Sequence, residues 1–590
     1  KRSITHHFTL IRMENAVSRS MNFHLLKART ADSTVYGGTS LQMEDIKNTI
    51  KSSYAYIFLI GVIANAQALF FYTDATDSIR AYGSTQALMT SGRFFGHYLD
   101  ILFERAGFYF PYRYINALFY ILFVALAVIF ILLTFDVKST VKSCLIGAVI
   151  MTSAVNSGVL VYYYVAHMYG FCFLLSMLST YLIVKRKMMV IPAILLMLSL
   201  GIYQAYFATV ILVIFLYQLF ALLKEDVDVK TWFNDTFRYI FTVCSALILY
   251  VVANKCALKL AGLSIEGYAN MSENVVPSYG FTDIVYLLKT SYTLIFSFIF
   301  TNKYFFCDNI VARISIALSL ILFLYLFVFS WAEVKVYSKK VLLLFLFMII
   351  PIMINLPMFV EKEVPERICM NWYFIFILPL LFINALDVVT IHGKAVYLAS
   401  IKKTVLPFVA LVMITSSLYS TYRNVTIYTG FQKANELAAE AVHDIESKLA
   451  ACEDFQTENE ICFIGTLDVN EVNSYFFNVE YSEYLHKLFN RDHSSIFKRF
   501  ALHRYKYLTP DDTRVARYTV EDMKNGMPTK EAKMLYCISG IHVGFQTIHS
   551  NDLRIKQMPV DRRMKFQKSA LPALSDDLVI VHNDRLPHDR

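Results

Sequence analysis

The chain has 590 residues, of which 56% are hydrophobic and only 17% are charged. Charged residues make up about a quarter of an ordinary soluble domain, so this composition excludes that class and predicts a polytopic membrane protein. The net charge of +9 comes from short Lys/Arg clusters between apolar runs. This distribution is typical of cytoplasmic loops and gives no support to a nucleic-acid partner. The nine cysteines show neither a CxxC motif nor the Cys/His spacing of zinc ligands, so no metal site is predicted from them.

The chain begins with a polar segment, residues 1–53, which we expect to be cytoplasmic and in part disordered. From residue 54 onward, apolar runs of about 20 residues have the length that crosses a hydrocarbon core, and they predict a transmembrane domain over residues 54–425 with about 10–11 helices. The run 189–223 is too long for one crossing and is predicted as two helices that meet at Gly201–Gln204. The predicted crossings are 54–72, 112–135, 143–164, 168–184, the two halves of 189–223, 239–261, 312–332, 341–360, 371–390 and 404–422.

Four cationic loops predict the orientation of these helices. Lys and Arg accumulate on the cytoplasmic side of membrane proteins. Placing the loops there puts the 73–111 loop, the Gln204 turn, residues 262–311, the 361–367 segment and the C-terminal segment on the opposite side. The apolar stretch 284–300 is then predicted to be re-entrant or interfacial, since a full crossing would invert the later loops. The cationic loops contain Lys138 and Lys142, Lys185–Lys187, Lys335 with Lys339 and Lys340, and Lys394 with Lys402 and Lys403.

After Tyr422 the composition becomes mixed and polar, which predicts a small domain outside the membrane over residues 426–560. A helical pattern from Phe431 to Leu449 is followed by a short apolar strand, Ile461–Gly465, and this succession favours an α/β organisation. Residues 561–590 carry no clear pattern and are expected to be disordered. The chain has no P-loop and no GxGxxG fingerprint, so nothing in it supports ATP-driven transport.

The loop 73–111 brings acids and arginines together directly after the first crossing. A carboxylate can act as a general base for an acceptor hydroxyl, and an arginine can pair with the oxygens of a leaving phosphate. We predict Asp77 as the base, ahead of Asp74, with Arg80 and Arg93 as phosphate ligands. The same charges also fit an ordinary solvated loop, an Asp77–Arg80 ion pair on one helical face, and a topology-setting role for Arg93.

Two remote segments are predicted to reach the same outer surface. Arg367 lies at the edge of the crossing that follows it, where it can bind a phosphate or snorkel to the interface. Tyr203 and Gln204 occupy the predicted outer turn and supply a phenol and an amide suited to sugar hydroxyls. An interfacial aromatic is also a common membrane anchor, so that role for Tyr203 stays open.

The order of four short motifs resembles the Gtr-type O-antigen glucosyltransferases, which are serotype-converting bacterial inner-membrane enzymes with a GT-C-like polytopic fold. The motifs are TDSIR at 76–80, SGR at 91–93, LGIYQAYF at 200–207 and VPER at 364–367, and the resemblance covers roughly residues 45–480. The family typically has a DDxxR pattern before the first arginine. Here Thr76 occupies the first acidic position and Asp74 stands two residues earlier, so the resemblance favours Asp77 over Asp74.

The resemblance implies an undecaprenyl-phosphate-linked glucose donor, presented on the periplasmic side of a bacterial inner membrane, and a sugar of lipid-linked O-antigen as acceptor. Membrane lipids are the other expected partners, and no cofactor is required. A divalent cation held by Asp74 and Asp77 with the substrate phosphate remains an open variant of this mechanism.

Two neighbouring activities and one other class compete with this interpretation. An O-antigen polymerase shares the polytopic build and the lipid-linked substrate. A flippase or transporter for a lipid-linked saccharide predicts charges along a path through the bilayer, whereas the charges of this chain gather at one face. If the chain were a membrane scaffold, a role for acids and arginines gathered at one face would be left unexplained.

Overall fold

A computed structural model shows that the residues it describes between 50 and 450 are mostly α-helical. The chain divides into two compact units, Lys1–Ala55 and Tyr56–Arg590. The expectations for residues 1–43 and for most of 561–590 lie outside the residues that the structure describes. In the first unit it describes residues 44, 48 and 50–55, which include a π-helical turn, Ile50–Tyr54. In the second it describes residues 56–71, 86–106, 113–223, 227–263, 280–300, 310–359, 371–388, 395–450, 460–464, 515–518, 535–539 and 579–582.

The α-helices of the described residues follow one another in chain order and are numbered here from α1. They are α1 Ala55–Ala64, α2 Ala66–Phe70, α3 Gln86–Thr90, α4 Phe94–Arg105, α5 Arg113–Thr134, α6 Thr140–Thr152, α7 Ala154–Leu160, α8 Tyr163–Val184, α9 Val190–Leu200, α10 Tyr206–Ala221, α11 Val229–Ala261, α12 Phe281–Phe300, α13 Ile310–Glu333, α14 Tyr337–Ile354, α15 Tyr373–Val388 and α16 Ala395–Ala450. A 3-10 turn, Leu356–Phe359, follows α14.

Six described helices are long and apolar enough to cross a membrane, namely α5, α8, α11, α13, α14 and α16. The bent pair α6 and α7 makes a seventh if it is counted as one span. The other predicted crossings fall on shorter apolar helices, among them α9, α10 and α15. The described residues therefore form a largely helical membrane protein with about six spanning helices. By the criteria of length and apolar composition, this number is smaller than the 10–11 helices predicted from the sequence.

The predicted break at Gly201–Gln204 is present, because α9 ends at Leu200 and α10 begins at Tyr206. The stretch 284–300 is part of one uninterrupted helix, α12. The stretch therefore does not turn back within 284–300, and its predicted re-entrant or interfacial placement stays a prediction. Helix α12 is held at its middle by the Asn355 side chain, whose Nδ2 donates to the Ser291 carbonyl at 2.9 Å.

The crossing predicted over 143–164 is bent by 45° between α6 and α7. Ser153 has extended backbone at the bend, and its side chain accepts a hydrogen bond from the Val155 N–H. A bend frees carbonyls that must find other donors away from water. Asn156 Nδ2 donates to the carbonyls of Ile150 and Met151, both at 2.8 Å. Two more amides complete the arrangement, since Asn65 Nδ2 donates to Met151 and Asn424 Nδ2 to Thr152.

Helix α15 lies at the centre of the bundle, where Phe374, Leu378 and Phe382 are fully buried. Its interior contains Pro379, which has no N–H to donate to the carbonyl of Ile375. The Ser319 hydroxyl of α13 donates to that carbonyl at 2.7 Å. The neighbouring helix thus satisfies the backbone group that the proline leaves open.

Helix α11 is the long helix that connects the cationic loops to the region of the SGR turn. Near its start, Asp235 contacts Lys187 at 3.6 Å, and the adjacent loop residue Lys185 pairs with Asp136. Two of the predicted cationic loops therefore meet at this end. Tyr250 lies further along α11, and the 15 residues from Asp235 to Tyr250 span about 22 Å of helix.

Helix α16 continues for 56 residues through the predicted domain boundary at 425/426. No proline lies between Tyr422 and Phe431, so the change to polar composition alters the surroundings of the helix without ending it. Beyond it, β1 Glu460–Ile464, β2 Val515–Tyr518, β3 Leu535–Ser539 and β4 Val579–His582 pair in parallel in the order β2-β1-β3-β4. Strand β1 matches the predicted strand. The connections between the strands are outside the described residues, so an α/β domain remains a prediction.

Candidate functional site

Residues Ser91, Gly92 and Arg93 form the turn between α3 and α4. Gly92 has φ +78°, a left-handed conformation that glycine adopts without steric cost. Its N–H donates to the Met89 carbonyl at 3.0 Å, and the Arg93 N–H donates to the Leu88 carbonyl at 2.8 Å. This pair of hydrogen bonds is a Schellman motif, which ends α3 and fixes the direction in which the Arg93 side chain leaves the backbone.

The first turn of α4 is joined to the turn between α9 and α10. The N–H groups of Phe95 and Gly96 donate to the Gly201 carbonyl at 2.8 and 3.0 Å. The first N–H groups of a helix have no acceptor within the helix, so this remote carbonyl satisfies two of them. The SGR and LGIYQAYF motifs are in direct contact as a result.

The Gln204 side chain binds both the turn at Gly92 and a tyrosine of α11, Tyr250. Its Nε2 donates to the Gly92 carbonyl at 3.1 Å and to the Tyr250 hydroxyl at 2.9 Å. The Tyr250 hydroxyl in turn donates to the Gly92 carbonyl at 3.0 Å. A Cβ at position 92 would lie 2.7 Å from the Tyr250 hydroxyl, so the close contact requires glycine. The Gln204 amide nitrogen is therefore committed to the Gly92 carbonyl and the Tyr250 hydroxyl.

The guanidinium of Arg93 lies against two stacked tyrosine rings. Tyr169 and Tyr203 have ring centroids 4.2 Å apart and planes inclined by 15°. Arg93 Cζ is 5.0 Å from the Tyr203 centroid, and Arg93 NH1 donates to the Tyr169 hydroxyl at 2.9 Å. Each tyrosine is nearly buried, and such cation–π contacts contribute about 0.5–2 kcal/mol. The charge is thus held in one orientation at a partly desolvated position, which is the arrangement needed to bind an anion.

A line of buried side chains leads from this arginine toward the α6–α7 bend. The Tyr203 ring meets the Tyr206 ring edge-on at 5.9 Å. The Tyr206 side chain lies beside that of Tyr120, whose hydroxyl donates to Asn156 Oδ1 at 2.7 Å. Asn156 is the residue that binds the open carbonyls of the bend, so the arginine site and the bend belong to one continuous set of contacts.

Of the predicted site residues, the structure brings Arg93, Tyr203 and Gln204 together. Asp74, Asp77, Arg80 and Arg367 lie outside the described residues, and their predicted roles stay predictions.

Three site residues were absent from the sequence prediction, namely Tyr169, Tyr250 and Asn254. Tyr250 and Asn254 are four residues apart on α11 and therefore share a face. A polar Asn254 near the end of an apolar crossing was a usable signal, because polar groups in such a position are costly without a role. The partnership with Gly92 was not readable, since the residues are more than 150 positions apart in the chain.

The described residues contain no group of three or more His, Cys, Asp or Glu side chains that could hold a metal ion. His97 packs against Tyr98, and His167 meets the ring of Phe103 edge-on at 5.4 Å. Since Asp74 and Asp77 are not described, the variant with a divalent cation at these two residues stays a prediction.

Comparisons with known proteins identify the family of the chain. No curated protein and no solved structure matches the sequence. The model of one protein family, glucosyl transferase GtrII, matches residues 66–384. This range contains Arg93, Gln204, Tyr250 and Asn254, and it covers more than half of the sequence. The chain therefore belongs to the glucosyl transferase GtrII family.

Proposed function

We propose that this chain is a membrane glucosyltransferase that moves glucose from a polyprenyl-phosphate-linked donor to a sugar of lipid-linked O-antigen, on the periplasmic face of a bacterial inner membrane. Membership of a glucosyl transferase family indicates a glycosyltransferase. The donor, the acceptor and the side of the membrane are the parts that the proposal adds.

The observation that carries the proposal is the Arg93 site. Its guanidinium stands over Tyr203 and hydrogen-bonds Tyr169 at one end of a bundle of apolar helices. A planar arginine fork matches phosphate oxygens, and tyrosine rings offer flat faces and hydroxyls to a sugar. A sugar phosphate on a lipid chain presents these two groups together at the edge of a membrane.

In the proposed reaction, the Asp77 carboxylate removes the proton from an acceptor hydroxyl. The acceptor oxygen forms a bond to C1 of glucose, and the bond from C1 to the phosphate oxygen breaks. The polyprenyl phosphate leaves with the bonding electrons, and Arg93, with Arg80 and Arg367, stabilises its charge. Tyr203 and the Gln204 carbonyl contact sugar hydroxyls, and Asp74 supports Asp77 or holds a cation with it.

The proposed side of the membrane is supported by the charges near the start of α11. The loops that contain Lys185–Lys187 and Asp136 meet beside Asp235, about 22 Å along α11 from Tyr250. Cationic loops favour the cytoplasmic side. The Arg93 site lies further along the same helix, and we propose that it is reached from the periplasm.

The test is transfer of radiolabelled glucose from synthetic polyprenyl-phosphate glucose to purified lipid-linked O-antigen, with wild type and Asp77→Asn in the same detergent. We expect transfer by the wild type and a loss of about 100-fold or more in the variant, since a positioned base contributes about 10²–10⁴ in rate. A folded wild-type protein that transfers no glucose from this donor contradicts the proposed donor class.

Asp228→Asn is the matched control for the substitution of Asp77. The Asp228 carboxylate caps α11 at its start, where it accepts from the Thr231 N–H at 2.7 Å. Asparagine caps a helix about as well as aspartate, so this variant removes one carboxylate without loss of fold. An equal loss of transfer in Asp228→Asn and Asp77→Asn would argue that charge removal alone is responsible, and Asp77 would lose its role as base.

A further inference from the structure

Asn254 is a buried amide that lacks hydrogen-bond partners in the part of the chain that the structure describes. Its side chain is only 6% exposed, and its Oδ1 is shielded from solvent with nothing to donate to it. Buried amides are almost always paired, because removal from water without a compensating hydrogen bond costs free energy. An unpaired buried amide at a candidate site is therefore explained by a ligand that supplies the missing hydrogen bond.

The position of Asn254 relates this amide to the arginine turn. Asn254 Nδ2 lies 3.8 Å from the point that a Cβ of Gly92 would occupy. Tyr250, one turn earlier on α11, is already bound to the Gly92 carbonyl and to Gln204. Arg93 follows Gly92 directly in the chain. Asn254 thus lies beside the turn, and its polar side chain takes no part in these contacts.

We propose that Asn254 binds a hydroxyl of the glucose unit that is transferred, and that it thereby contributes to sugar specificity; the inference rests on the proposed function. An amide offers one acceptor and one donor group, and a sugar hydroxyl needs both. In a glycosyl phosphate the sugar is attached directly to the phosphate. A phosphate bound by Arg93 therefore brings the sugar next to the residue that precedes Arg93, which is where Asn254 lies.

The first test uses the wild type alone with four donors that lack single hydroxyls: the 2-, 3-, 4- and 6-deoxy analogues of polyprenyl-phosphate glucose. We expect one of them to be transferred with kcat/KM about 100-fold below that of the glucose donor, because a site built for a hydroxyl rejects an analogue without it. Equal kcat/KM for all five donors overturns the proposal without any variant. Absence of transfer from the glucose donor itself is a different result, which rejects the proposed function and the inference with it.

The second test removes the amide with Asn254→Leu, which keeps the approximate size of the side chain. We expect kcat/KM for the glucose donor to fall by about 100-fold and the discrimination against that one deoxy donor to disappear, while the ratios for the other three stay unchanged. A uniform fall for all donors, with every ratio preserved, overturns the proposal and leaves Asn254 a structural residue that holds a water molecule. Asn254→Asp retains an acceptor and should keep part of the discrimination.

Asn355→Leu is the matched control for these measurements. Asn355 is also fully buried with an unpaired Oδ1, but its Nδ2 is bound to the carbonyls of Ser291 and Pro351 at the junction of α12 and α14. Its loss should lower the unfolding temperature and leave the ratios among the deoxy donors as they are in the wild type. A change in those ratios in Asn355→Leu would show that they report general damage, and it would overturn the assignment to Asn254.

Discussion

At the scale of single residues, Arg93, which directly precedes α4, and Arg105, which ends it, occupy different surroundings. Arg93 is stacked on Tyr203 and bonded to Tyr169, whereas Arg105 is exposed in the last turn of the helix. A lysine at position 93 would keep the positive charge but would lack the planar guanidinium, which stacks on the ring and donates several hydrogen bonds. The geometry around Arg93 fits the proposed anion site, and the variants below distinguish that role from the topology-setting charge that the sequence also allowed.

We predict that Arg93→Lys lowers kcat/KM for glucose transfer by at least about 10-fold, and that Arg93→Gln lowers it by about 100- to 1000-fold, the usual cost of removing one stabilising donor. The measurement is initial transfer rate against donor concentration in detergent. Arg105→Lys and Arg105→Gln are the matched controls and should keep wild-type rates. Wild-type transfer by Arg93→Lys would mean that a point charge suffices and that the stacking has no role.

Gly92 supports a second prediction at this scale. Gly92→Ala places a Cβ at positive φ and 2.7 Å from the Tyr250 hydroxyl, so we expect strain of about 1–2 kcal/mol together with displacement of Tyr250. Tyr250→Phe removes the clashing oxygen. In the double variant the loss from Gly92→Ala should be smaller than in the wild-type background, although the backbone strain remains. Thermal unfolding and transfer rate of all four proteins measure this coupling, and strictly additive effects would refute the contact.

At the scale of elements, a serine and a proline on neighbouring helices form a testable pair. Ser319→Ala leaves the Ile375 carbonyl without the donor that replaces the missing N–H of Pro379. We expect a loss of about 0.6 kcal/mol, the average measured for hydrogen bonds between membrane helices, and of at most about 1.7 kcal/mol, seen as a lower unfolding temperature in detergent. Pro379→Ala restores an N–H for the same carbonyl. In that background Ser319→Ala should have little effect, and an undiminished effect would show that the serine acts otherwise.

The elements also show how far the sequence alone predicts this molecule. Apolar runs located the long helices, and the interruption at Gly201–Gln204 separated α9 from α10, because both signals are local. The bend at Ser153 escaped prediction, since it contains no proline and is held by Asn65 and Asn424, which are distant in sequence. The change to polar composition at 425 predicted a domain boundary, and helix α16 continues through it. Composition depends on what surrounds a helix and does not show where the helix ends.

The site itself divides in the same way. The residues predicted from motifs, Arg93, Tyr203 and Gln204, do meet. Their chemical types stand out against apolar helices, and each follows a glycine that marks a turn. Tyr250 and Asn254 lie in the middle of a regular helix, and only the fold reveals that they face Gly92. The sequence offers no measure of distance between segments more than 150 residues apart.

At the scale of the whole molecule, the distribution of charge supports the proposed orientation in the membrane. Lys185 pairs with Asp136 and Lys187 contacts Asp235, yet the loops at this end keep an excess of cations, with Lys138 exposed. Moving such loops across a membrane is unfavourable, so the proposal places them on the cytoplasmic side. Helix α11 then carries the chain from this end to Ala261, beyond the Arg93 site.

We predict that a cysteine at Ala261 reacts with a membrane-impermeant maleimide in spheroplasts, and that a cysteine at Lys138 reacts only after the membrane is permeabilised. Both positions are exposed, so accessibility of the residue itself does not limit either reaction. The exposed Cys244 and Cys256, with the other native cysteines, are first replaced by serine. Labelling of Lys138→Cys alone in intact spheroplasts would reverse the orientation, and the donor would then have to be sought on the cytoplasmic face.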